Sequence, residues 1–264
     1  DDLMSATYTE YYLQLIDGRL GRPIDDDTGI YNVLTASDPT EITIYSDMSG
    51  TSQANPGTMT DGVVRFFTAV ATTSVDISIL TANGHAFFLE GITPSNHRVV
   101  IWPDNINQQL IVPYNCNTAC NVVVATGFTL PLNAFLKDVF LHVTTAATAG
   151  PLDVGNSTDT DGYLDAAIVS VTGFKIHDFP ETGGTVDTYI TATQIRGALL
   201  SKHDPGTATD TAGGVDGFFE KQIYRVTDAT SGGSLTYVVT ATNSGGTGEG
   251  YIVCVFDRSP TSGN

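Results

Sequence analysis

This sequence predicts an all-β fold built as two antiparallel β-sandwich domains behind an N-terminal arm, and three observations lead there. Asp-Gly pairs run straight into bulky apolar residues at Asp61-Gly62-Val63-Val64, Asp161-Gly162-Tyr163-Leu164 and Asp216-Gly217-Phe218-Phe219. Asp-Gly supplies the positive φ of a tight hairpin, and the residues after it begin a strand with a buried face. Short Val/Ile/Thr/Phe runs are joined by Ser/Thr/Gly-rich connections throughout. Charged residues are only 15% of the chain against 41% hydrophobic, as strands with one hydroxyl face and one apolar face would give. At 264 residues the chain exceeds one ordinary domain, so one large sandwich or two smaller ones would accommodate it.

Residues 1–35 differ from the rest and read either as an arm that docks on a neighbouring subunit or as a simple N-terminal strand or helix of the first domain. Tyr8, Tyr11, Tyr12, Leu13, Leu15 and Ile16 fit an amphipathic turn or short helix before Gly18, and Gly21 to Asp27 reads as an extended acidic linker. Residues 36–115 form the first sandwich. Its strands are Glu41–Tyr45, Gly62–Thr68, Ser74–Leu80, His85–Leu89, Arg98–Trp102 and Gln109–Pro113. Val75, Ile77 and Ile79 share one face, and Asn83-Gly84 turns the chain into the following strand. The Cys116–Cys120 loop is the boundary. Residues 121–264 form the second sandwich, with runs at Val122–Val124, Phe135–Val143, Ala166–Val171, Tyr189–Ala192, Phe218–Val226, Ser234–Thr240 and Tyr251–Phe256. Gln194–Leu200 has the look of a short helix. Spacing and turn chemistry favour jelly-roll or immunoglobulin-like topology.

The net charge is −18, and most of the acid is Asp, the carboxylate suited to turns. Such a surface repels a phosphate backbone, so direct nucleic-acid binding is not expected. No stretch approaches the roughly 18 apolar residues of a membrane helix, and no membrane partner is expected. Cys116 and Cys120 are close enough for a small local disulfide, or remain as two thiols. Cys254 lies within an apolar strand and reads as a buried free thiol. Asp1 at the start reads as a proteolytic or incomplete beginning.

Chemistry-bearing residues form few constellations. Asp159, Asp161 and Asp165 would offer hard oxygen ligands to Ca²⁺, although turn chemistry alone also accounts for them, and Ile168 stands where a helical calcium loop needs its bidentate Glu. The histidines are scattered without HxH or HExxH pairing, and His142 alternates with Val139, Leu141 and Val143 on a solvated face. No GxSxG is present. Asp76 with Glu90 is a carboxylate pair of the kind glycoside chemistry uses, but chance pairs abound among 29 acidic residues. Trp102, beside Pro103-Asp104-Asn105, and Tyr114 suit glycan stacking if exposed, or the plugging of a sandwich end if buried. No catalytic role is expected, and calcium is the one cofactor in view.

Several phrases resemble tailed-bacteriophage virion proteins: Phe140 to Ala146, Pro151 to Gly155, Asp159 to Asp165, Leu235 to Thr240, Gly250 to Val253, and in the first half Asn55-Pro56-Gly57 leading to Asp61 to Phe67. The resemblance covers about half of the chain in style. It implies a capsid decoration, or cement, protein on the virion exterior, in contact with the major capsid protein or other virion subunits and commonly self-associating as a trimer. Tyr8, Tyr11, Tyr12 and Leu15 on the arm are then the expected assembly contacts. A tail or fibre protein recognising a host glycan through Trp102, and a subunit of an extracellular cell-surface filament, are the rival expectations.

Overall fold

The computed structural model describes residues 8–18, 20–101, 107–117, 121–147, 151–167, 169–175, 195–196, 200–203, 219–221, 224–227, 233–239 and 248–257. Among them every regular element is a β-strand, and no helix occurs. Two compact units emerge, one covering the described residues up to Pro113 and the other running from Tyr114 to Asp257.

The first unit begins with β1 (Tyr8–Asp17), β2 (Arg22–Pro23), β3 (Ile30–Thr35), β4 (Ile44–Tyr45) and β5 (Ser52–Gln53). It continues with β6 (Gly57–Thr58), β7 (Val63–Ala69), β8 (Val75–Leu80), β9 (Ala86–Ile92) and β10 (Asn96–Ile101). One sheet runs β10-β1-β7-β4-β5 with β2 added to β1, and the other runs β6-β3-β8-β9.

Of the two readings of the N-terminal segment, the arm is corrected and the strand holds: residues 8–17 are the interior strand of a sheet. Their apolar residues recur with period two, so Tyr11, Leu13 and Leu15 point one way and are completely buried. Opposite them on β7 stand Phe66, paired with Tyr11, and Val64, paired with Leu13. The Tyr11 and Phe66 rings stack at 4.9 Å. Each such side chain contributes roughly 2 kcal/mol by leaving water. Tyr31 and Val33 of β3 and Val75, Ile77 and Ile79 of β8 enter the same core from the other sheet. The segment read as an acidic linker supplies β2 and a loop whose Asp26 is buried.

Two further departures concern pairing. β1 runs parallel to β10, Leu15 beside Val99, so the sheet is not purely antiparallel. The polar face of β8 is not solvated either, because all six of its residues are buried. Asp76 accepts backbone amides and the Ser78 hydroxyl donates to the Ile111 carbonyl, which lets both polar groups lie inside.

The chain passes into the second unit along β11 (Asn107–Asn115), then β12 (Val123–Thr129), β13 (Phe135–Thr145), β14 (Leu152–Asn156), β15 (Leu164–Ala167) and β16 (Gly173–Lys175). Short pieces follow as β17 (Ile195–Arg196), β18 (Ser201–His203), β19 (Phe219–Lys221) and β20 (Tyr224–Arg225), before β21 (Ser234–Val239) and β22 (Glu249–Asp257). The sheets are β11-β22-β13-β16 with β20 beside β13, then β12-β21-β14-β15-β17, and the pair β18-β19. β13 and β22 share the longest ladder, placing buried Val139 opposite Cys254 and buried Leu141 opposite Ile252. Ile195–Arg196 pairs with β15 as strand, so the short helix over 194–200 is corrected at these two residues. Extended pairing leaves no helical turn there.

Candidate functional site

The residues that carry charge and aromatic surface fall into three places. The first is the outer face of the β10-β1-β7 sheet. With Tyr11, Leu13 and Leu15 turned inward, Tyr12, Gln14 and Ile16 project from the opposite face and are half-buried. Register places Arg65 beside Tyr12 and Arg98 beside Gln14, with Val100 beside Ile16. Arg65 is held by Glu10 at 2.6 Å and lies 5.3 Å from the centre of the Phe67 ring. Tyr8 packs on Tyr45 with ring centres 4.6 Å apart. Of the expected contact residues, Tyr8 and Tyr12 therefore retain exposed surface. Tyr11 and Leu15 do not, since the strand alternation commits them to the core.

The second place is the loop pair 24–29 and 60–62. Asp61 and Gly62 both stand at positive φ, 50° and 67°, which makes the expected two-residue hairpin turn into β7. Asp26 lies beneath it with three backbone amides on its carboxylate: Thr28 at 3.1 Å and Gly29 at 2.7 Å on Oδ1, and Ala82 at 2.8 Å on Oδ2. Asp25, Asp27 and Asp61 surround it at the surface, exposed, with carboxylate oxygens all within 4.8 Å of one another. Composition alone did not reveal this convergence. Consecutive Asp25-Asp26-Asp27 was visible, but its meeting with Asp61 depends on β2 folding back onto β1.

The third is the turn between β14 and β15, where the calcium expectation falls. Asn156 Oδ1 accepts the amides of Thr158 and Asp159, each at 2.9 Å, and its Nδ2 donates to the Tyr163 hydroxyl at 3.3 Å. Asp159 and Asp161 are brought together here. Burial, then the Asp161 carboxyl hydrogen-bonded to it, pushes the Asp159 carboxyl up to about 6. Asp159 thus keeps its proton to higher pH than a free aspartic acid does. Asp165 stands on β15 opposite Ile195.

Other candidates resolve individually. Asp76 spends both oxygens on backbone amides, Ser37 and Gly91, each at 2.7 Å, while Glu90 is exposed. Asp76 acts there as a loop clamp. Tyr114 is buried, edge-on to Tyr237 at 6.4 Å, and offers no stacking platform. His142 faces away from buried Val139, Leu141 and Val143, with its ring stacked against Tyr251. Cys116 and Cys254 are buried free thiols, pushed up by burial to about 11 and about 12, so both are protonated and unreactive at neutral pH. Trp102, Cys120, Asp216-Gly217 and His177 lie outside the described residues.

No known family model matches this chain, and neither a curated protein nor a solved structure matches it.

Proposed function

We propose that this chain is a non-enzymatic structural protein of a virion, decorating and stabilising the exterior of a phage capsid. In this reading both units are β-sandwiches of jelly-roll or immunoglobulin-like kind. The major capsid protein or other virion subunits are the partners, and the chain self-associates, as a trimer by analogy with cement proteins. Neither nucleic acid nor membrane is bound directly, and calcium at Asp159 and Asp161 is an accessory at most.

The observation that carries the reading is what the carboxylates do. Asp26, Asp76 and Asp47 each clamp loop amides, so an acid-rich set of turns is held firmly on strand scaffolds. A rigid surface with net charge −18 suits the outside of a particle that holds DNA, where it does not compete for the packaged phosphate. Stabilisation would come from apolar and polar surface buried across capsomer junctions. The assembly contacts move with the fold: Tyr8 and Tyr12 stay candidates, whereas deleting residues 1–20 would remove β1 and unfold the unit.

Copy number per particle, by quantitative mass spectrometry of density-gradient fractions, tests this. Many copies, scaling with the major shell protein in DNA-filled particles, are expected. A handful of copies would move the protein to a tail or fibre. Absence from DNA-bearing fractions would overturn the virion reading in favour of an extracellular filament.

A further inference from the structure

The first unit distributes its charge unevenly. Residues 1–113 contain four arginines and no lysine: Arg19, Arg22, Arg65 and Arg98. The three that are described all stand on strands of the β10-β1-β7 sheet, and the facing β6-β3-β8-β9 sheet carries no cation. Arg65 and Arg98 share the outer face with Tyr12, Gln14, Ile16 and Val100, the last 50% exposed. Arginine and tyrosine around a short apolar strip, with lysine absent, is the composition of a protein docking surface rather than of a solvated sheet.

The same unit also displays the opposite charge. Asp25, Asp27 and Asp61 converge their carboxylates at the surface, with the Asp27 carboxylate accepting the Asp61 backbone amide at 2.7 Å and no cation paired to the cluster among the described residues. Arg98 likewise makes no ion pair there, and Arg65 pairs with Glu10 alone. A planar guanidinium bridges neighbouring carboxylates with two or more charge-assisted hydrogen bonds, which a lysine ammonium does less well.

We infer that the outer face of the β10-β1-β7 sheet docks on a second copy of this chain, with Arg98 and Arg65 of one copy meeting the Asp25-Asp27-Asp61 cluster of the next. Arg65 is pre-positioned for this by Glu10 and the Phe67 ring, which lowers the entropy of ordering it on contact. Val100 and Ile16 supply the apolar centre, and the acids form the rim. The inference rests on the self-association in the proposal above and names its surface.

The experiment is sedimentation velocity on the purified full chain, with Arg98→Glu and Asp25→Arg made separately and together. Both positions are exposed and outside the core, and unchanged thermal midpoints verify the fold. The wild type is expected to sediment as an oligomer that weakens about tenfold or more as salt rises to about 0.5 M. Each single variant should weaken association at least tenfold. The double variant should recover it because the charges are exchanged. A second probe, Val100→Asp, should dissociate the oligomer without rescue by either charge change. A monomeric wild type overturns the inference, as does an oligomer indifferent to Arg98→Glu, or singles that are not rescued by exchange. These outcomes are read on the purified chain, whereas copy number on particles judges the virion role, so one can fail without the other.

Discussion

Two Asp-Gly turns of identical sequence, one in each unit, are built in different ways. At Asp61-Gly62 the backbone itself makes the turn, with both residues at positive φ and Thr60 and Val63 bonded across it. A Cβ at Gly62 would run into the Ile24 carbonyl oxygen, so glycine is required by space as well as by φ. At Asp161-Gly162 neither residue is at positive φ. The loop is closed by the Asn156 side chain, and Asp159 contributes its carbonyl to the amides of Asn156 and Gly162. A dipeptide therefore marks where a turn occurs, while the residues around it decide what holds the turn together.

The difference can be broken from either side. The largest expected effect is Asp26→Ala, which strips three loop amides beneath the first turn of their acceptor. It should cost about 3 kcal/mol in urea denaturation, and Asp26→Asn, which keeps one oxygen, should cost less. Next is Gly62→Val, expected to cost about 2 kcal/mol from left-handed strain on a β-branched residue, with added displacement of Ile24. Asn156→Ala should follow at about 1–2 kcal/mol, accompanied by faster amide exchange at Thr158 and Asp159. Were the second turn set by its Asp-Gly as the first is, Asn156→Ala would leave that exchange unchanged.

The smallest effect sharpens the comparison through pH. Asp159 in the second unit has its carboxyl raised to about 6 by burial and by Asp161. It contributes stability that is complete below about 4, the unfolded value, and is lost as pH rises through about 6. Asp47 in the first unit has the opposite sign. The Ser49 and Thr51 side chains, together with the backbone amides of those residues, bond its carboxylate and hold it well below the usual range. Its contribution is present above about 4 and fades as pH falls further. Carboxyl NMR titration should find Asp159 titrating at higher pH than Asp47, and Asp161→Asn should bring Asp159 down. Equal midpoints for the two would refute the contrast.

Much of the architecture is legible in the chain itself. Period-two alternation at Val139, Leu141 and Val143 assigns β13 its inner face and leaves His142 outside. Asn83-Gly84 marks the β8–β9 hairpin, where Gly84 stands at φ 78°. Cys254 between apolar neighbours predicts an inert buried thiol. These features depend on side-chain alternation and turn stereochemistry, which act over a few residues.

What the tertiary structure alone decided depends on contacts distant in sequence. The Tyr8 to Asp17 stretch suits either a strand or an amphipathic turn, and only its pairing with β7 and, in parallel, β10 commits it to the core. Asp26 and Asp76 look like their acidic neighbours until loops from elsewhere bring amides to them. Asp25, Asp27 and Asp61, and the arginines gathered on one sheet, become clusters only when β1, β2, β7 and β10 are laid side by side. Local physics names the strands and turns; their partners are chosen by which distant apolar faces and unsatisfied backbone groups can be buried together.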